Sequence, residues 1–135
     1  MMGAIMPTLQ FLARELNPWA NPVTGKDLKE GSTYFMVNYV DDDMFIPVIE
    51  TVVFIGRDLR EDDAGQVYFQ DVGSYLAGIR HGSNAADTSA RAYFFCMSET
   101  QTGDIFEFES ALEELMRCSL KRKDRPGASQ TLRTP

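Results

Sequence analysis

The chain has 135 residues, a formal net charge of −7 and 44% hydrophobic residues. That length fits one domain with a core that needs no staple, and that apolar content excludes a chain disordered throughout. The excess of acid disfavours direct contact with a nucleic-acid backbone and favours steering toward a basic partner.

The charge is uneven. Arg117, Lys121, Arg122, Lys123, Arg125 and Arg133 crowd residues 117–135 beside a single acid, Asp124. The expected division is one globular domain over residues 1–122 and a basic, disordered tail over 123–135. No window reaches the ~18 apolar residues of a membrane span. Residues 1–7 lack the basic start and apolar length of an export signal. A cytoplasmic protein with no membrane partner is expected, its Cys96 and Cys118 being free, buried or half-buried thiols.

Leu9, Leu12 and Leu16 fall on one helical face and predict a short N-terminal helix, which Asn17-Pro18 should stop. Residues 17–32 read as an irregular connection anchored by Trp19. Strands are expected at Thr33–Val40, Phe45–Ile55, Gln66–Asp71, Arg91–Ser98 and Asp104–Glu109, a load of Phe, Tyr and Val that suits pleated surfaces. Thr51–Ile55 is apolar on both alternating faces, so it should lie at the sheet's centre. Asp41-Asp42-Asp43 and Glu61–Gly65 are turn signals. Val72–Arg80 fits a helix or a strand equally, and residues 81–90 read as a surface loop. A capping box, Ser110 with Glu113, predicts the start of a C-terminal helix. Leu112, Leu115, Met116 and Leu120 form its apolar face, and Glu113 can pair with Arg117.

The fold class expected is α+β. Five short antiparallel strands make a strongly bent sheet or an SH3-like, partly open barrel, with a helix at each end. Such an outline carries no function by itself.

Candidate chemistry is sparse. His81 is the only histidine, which excludes metal sites built from several. Gly73-Ser74-Tyr75 is no nucleophile elbow, because Val72 stands two residues before the serine, where that pattern needs glycine. Gly25-Lys26 lacks the hydroxyl residue of a phosphate loop. No cofactor, metal site or catalytic residue is therefore assigned. Tyr75, Arg80 and His81 are the candidate ligand-binding residues, because a cation, an imidazole and the Gly82-Ser83 backbone could hold an acidic or phosphate-bearing ligand. Asp41, Asp42, Asp43, Asp62, Asp63 and Trp19 are the candidate partner-binding residues.

Three functions compete. The first is a non-enzymatic protein–protein interaction module with an acidic surface: an accessory, adaptor or inhibitor protein, monomer or homodimer. The second is a small-ligand domain or minor enzyme with a pocket near residues 75–83. The third is an inhibitor whose acidic turns mimic nucleic-acid phosphates.

Overall fold

The computed structural model describes residues 6–82 and 92–124. Most of the expected 81–90 loop and residues 125–135 of the basic tail lie outside the described residues. The elements in chain order are β1 (Thr33–Tyr39), β2 (Pro47–Arg57), β3 (Gln66–Asp71), α1 (Val72–Leu76), β4 (Phe94–Ser98), β5 (Ile105–Phe106) and α2 (Phe108–Asp124), with one 3-10 turn at Gly25–Asp27. No described helix is long and apolar enough to cross a membrane.

The five strands form one antiparallel sheet in the order β4-β3-β2-β1-β5. It is an α+β arrangement with an open sheet: β4 and β5 are its two edges, and no described ladder closes it into a barrel. β2 is central, as its two-faced apolar stretch requires; Val52, Val53 and Phe54 are all buried. Its first half pairs with β1 and its second half with β3, and the register shifts between Phe54 and Gly56. An extra residue on one strand bends it and increases its twist.

Alternation along β1 divides the interior in two. Tyr34 and Met36 pack with Val52, Phe54, Val67, Phe69 and Ile105 in the main core, which Val23 and Leu28 close. Phe35, Val37 and Tyr39 point to the other face and pack with Phe106 and Ala111 of α2. The sheet thus buries a large core on one side and rests the helix on the other.

Several sequence expectations need correction. Residues 9–16 form no helix. A helix this short is marginal without a surface to pack on, and Leu9 and Leu12 are 93% and 88% exposed. Trp19, 67% exposed, does not anchor the connection. Val23 does, donating its N–H to the Ile105 carbonyl at 2.8 Å and accepting the Thr102 hydroxyl at 2.7 Å. Cys118 is buried, but Cys96 is exposed on β4. The fifth strand shrinks to two residues because α2 begins at Phe108, whose ring meets Phe35 edge-on at 5.2 Å. The first helical hydrogen bond runs from Ala111 N–H to the Glu107 carbonyl. Ser110 therefore lies inside the first turn and caps nothing. The ambiguous Val72–Arg80 segment starts as α1, where Asp71 accepts the Ser74 N–H at 2.9 Å and the Ser74 hydroxyl at 2.6 Å.

Two glycines separate close approach from backbone conformation. A Cβ on Gly25 would fall 2.2 Å from the Glu99 carbonyl oxygen, whereas one on Gly65, at φ +70°, would meet nothing within 4 Å. In urea unfolding, Gly25→Ala should cost about 1–3 kcal/mol or prevent folding, through backbone overlap. Gly65→Ala should cost about 1 kcal/mol, through the left-handed backbone alone. Ser110→Ala should stay within about 0.5 kcal/mol of the parent, a far smaller loss than a true cap would show.

Candidate functional site

The sequence-predicted residues do not converge. Arg80 stacks its guanidinium 3.9 Å from the Tyr75 ring centroid and donates to the Tyr75 and Ile79 carbonyls at 2.8 Å. It closes its own turn. His81 lies elsewhere, edge-on between Tyr68 and Phe94 with both centroids at 5.3 Å, where it covers the aromatic surface of β3 and β4.

The acidic residues divide in the same way. The 41–43 turn joins β1 to β2 and the 58–65 turn joins β2 to β3. They stand at opposite ends of β2, an 11-residue strand and so roughly 33 Å of chain at the usual rise. Asp41 staples its turn by accepting the N–H groups of Phe45 and Ile46 at 2.9–3.1 Å. Burial opposes the charge, but these donors prevail and hold the carboxyl below its ordinary range. Asp63 accepts the Tyr68 hydroxyl. Asp42, Asp43 and Asp62 are exposed. Among the described residues no three His, Cys, Asp or Glu side chains gather as metal ligands.

The side chains that do converge lie around α2. Tyr39, at the end of β1, donates its hydroxyl to Glu114 at 2.6 Å. Arg117 grips the other oxygen of that carboxylate through Nε and Nη2 at 3.2 and 3.1 Å, and donates Nη1 to the Asn17 carbonyl. One turn on, the Cys118 thiol is buried against the Met44 and Phe45 carbonyls, and burial pushes its pKa up. Lys121 reaches the Asp43 carbonyl and sits over the Phe45 ring. The expected Glu113–Arg117 pair does not form; Arg14 takes Glu113 together with Glu109.

These contacts set the rotation of α2, and the result departs in part from the sequence reading: Leu112 and Leu115 are half-buried, Met116 and Leu120 exposed. The helix buries Ala111 and Cys118, small residues that let it approach β1 closely. Its larger apolar side chains lie beyond that line of contact. Phe108 is 70% and Leu120 54% exposed, and Met116 is also exposed. Phe35, Ile49, Phe108, Ala111, Leu112 and Leu115 line an apolar cleft of about 190 Å³ between the sheet and the helix. Farther along the same helix, Met116, Ser119, Leu120 and Lys123 line a second of about 440 Å³, with Arg14 and Leu16 of the N-terminal arm as its other wall. Residues four apart share a helical face, so Leu112–Met116 and Leu115–Ser119 set the two clefts in line along the helix, the second one of mixed polarity. The sequence places this stripe against the core, an expectation that half-buried Leu112 and Leu115 meet in part and exposed Met116 and Leu120 do not.

Burial and the Glu114 contact raise the Tyr39 pKa, and burial with the Asp63 contact raises that of Tyr68 to about 12. An unfolded tyrosine titrates near 10. The folded state therefore keeps protons that the unfolded state loses, and the linked stability, intact below about pH 10, declines as pH rises beyond it. Tyr39→Phe should cost about 1–2 kcal/mol at neutral pH, as expected for a hydrogen bond to a charged group. It should also flatten the alkaline decline in chemical unfolding. Comparison with known proteins finds no matching family model, curated relative or solved structure.

Proposed function

We propose that this chain is a non-enzymatic protein–protein interaction module, an accessory or adaptor protein that docks another polypeptide along the outward face of α2. The carrying observation is the apolar groove. Protein surfaces that leave a continuous apolar face uncovered mark binding sites for other chains. Here Phe108, Leu112, Leu115, Met116 and Leu120 lie along one helix with Ile49 and Phe35 beside them. The rim is charged, with Glu109 and Glu113 toward one end and Lys123 at the other, as docking surfaces with an apolar centre and polar border tend to be.

We read the bent sheet as SH3-like in outline, a likeness of architecture only. The acidic body would speed encounter with a basic partner surface, and that contribution should fade as salt rises. A cytoplasmic setting suits the exposed thiol of Cys96. The ligand reading near residues 75–83 draws less support, because Arg80 is engaged with its own turn and His81 packs on rings. Phosphate mimicry draws less support, because the acidic turns stand at opposite ends of β2.

Site-specific photo-crosslinking tests the docking reading. A benzophenone side chain at Leu112 should give a discrete adduct with a protein chain, the same group at Glu61 none, and Ile49→Glu should suppress the adduct. Equal labelling from both positions, or none from Leu112, would contradict the proposal.

A further inference from the structure

We infer that the occupant of the α2 groove is a second copy of this chain, packed helix against helix in antiparallel fashion; this rests on the groove being a docking face. Charge along α2 carries the argument. Along its outward side Glu109 and Glu113 stand in the first half and Lys123 in the second, whereas Glu114, Arg117 and Lys121 are engaged with the sheet and the 41–45 turn. A parallel second copy would set acid against acid and base against base. A two-fold antiparallel copy sets each acidic half against a basic half, and a two-fold interface must be self-complementary in this way.

The apolar stripe obeys the same symmetry. It runs from Phe108 to Lys123, about 22 Å at 1.5 Å per residue, with its midpoint between Leu115 and Met116. About that midpoint Leu115 faces the partner's Met116, and Leu112 faces the small partner's Ser119. Phe108 meets the aliphatic stem of the partner's Lys123, whose ammonium then lies beside Glu109. Glu109 keeps 72% of its side-chain surface exposed despite its contact with Arg14, so it has room for a second cation.

The N-terminal arm is already held along the far wall by Arg14. A standard interface buries roughly 800 Å² per partner, so Ile49 and the N-terminal arm would extend the contact beyond the helical stripe.

Sedimentation equilibrium of the purified full chain over a range of concentrations tests this. The expected result is a monomer–dimer equilibrium that Leu112→Glu abolishes with the circular dichroism spectrum and Tm retained. Glu109→Lys and Lys123→Glu should each weaken association about 3- to 10-fold, as unpaired charges at a partly exposed contact do. The double variant should recover to near the parent, because the swapped charges again meet across the two-fold. A strict monomer, a dimer indifferent to Leu112→Glu, or a double variant weaker than both single variants would overturn the inference. A monomer whose position 112 crosslinks a different protein removes the second copy and leaves the docking face standing. A monomer with no such adduct removes both.

Discussion

The rotation of one helix about its own axis decides what this molecule presents to its surroundings. That rotation is set by Glu114, whose carboxylate takes the Tyr39 hydroxyl from the sheet on one oxygen and Arg117 on the other. Glu114 and Arg117 are both largely shielded, with side-chain exposures of 12% and 14%. A shielded charge that loses one partner retains its desolvation cost without its compensation, so the network resists any turn of α2 that separates its members. Ala111 and Cys118 sit on the same flank and let the helix close on Val37 and Phe106. With that flank against the sheet, helical geometry leaves Phe108, Met116 and Leu120 exposed and Leu112 and Leu115 half-buried at the margin.

The arrangement separates stability from surface chemistry. The main core lies on the opposite face of β1, among Tyr34, Val52, Phe54, Val67 and Phe69. Changes along the exposed stripe of α2 leave those contacts intact, so its side chains can serve a partner at little cost to the sheet. The second face of the sheet is covered piecemeal: α2 lies over β1 and β5, α1 packs against β2 and β3 with Ser74 bonded to Gln70, and His81 rests on Tyr68 and Phe94. Ile49 and Phe35 fall at the margin of the α2 cover, which is why they become a wall of the groove.

Much of the sheet was legible in the residues because its signals are local. The two-faced apolar stretch Thr51–Ile55 marks a central strand, Gln66–Asp71 carries its own alternation, and the acidic turns break the chain where the strands end. The helix was legible as a helix but not in its orientation. Composition alone turns Leu112, Leu115, Met116 and Leu120 inward. What overrides this for Met116 and Leu120 is the meeting of Tyr39 with Glu114, residues 75 positions apart, and no local pattern encodes such a contact. The same limit explains the N-terminal arm, whose leucine spacing has helical period but no surface to bury against. Asp41 had a findable role, since an aspartate opening a turn commonly bonds the amides that follow. Trp19 and the trio of Tyr75, Arg80 and His81 gave no comparable clue to their separate placements.

Thiol accessibility reports the setting of α2 without requiring any partner. With Cys96 replaced by Ser and a cysteine introduced by Leu112→Cys, dilute folded protein should react with a maleimide rapidly at position 112 and slowly at Cys118, the difference vanishing on unfolding. Equal reactivity at the two positions, or faster labelling of Cys118, would mean that the leucine stripe faces the sheet, and the groove would not exist.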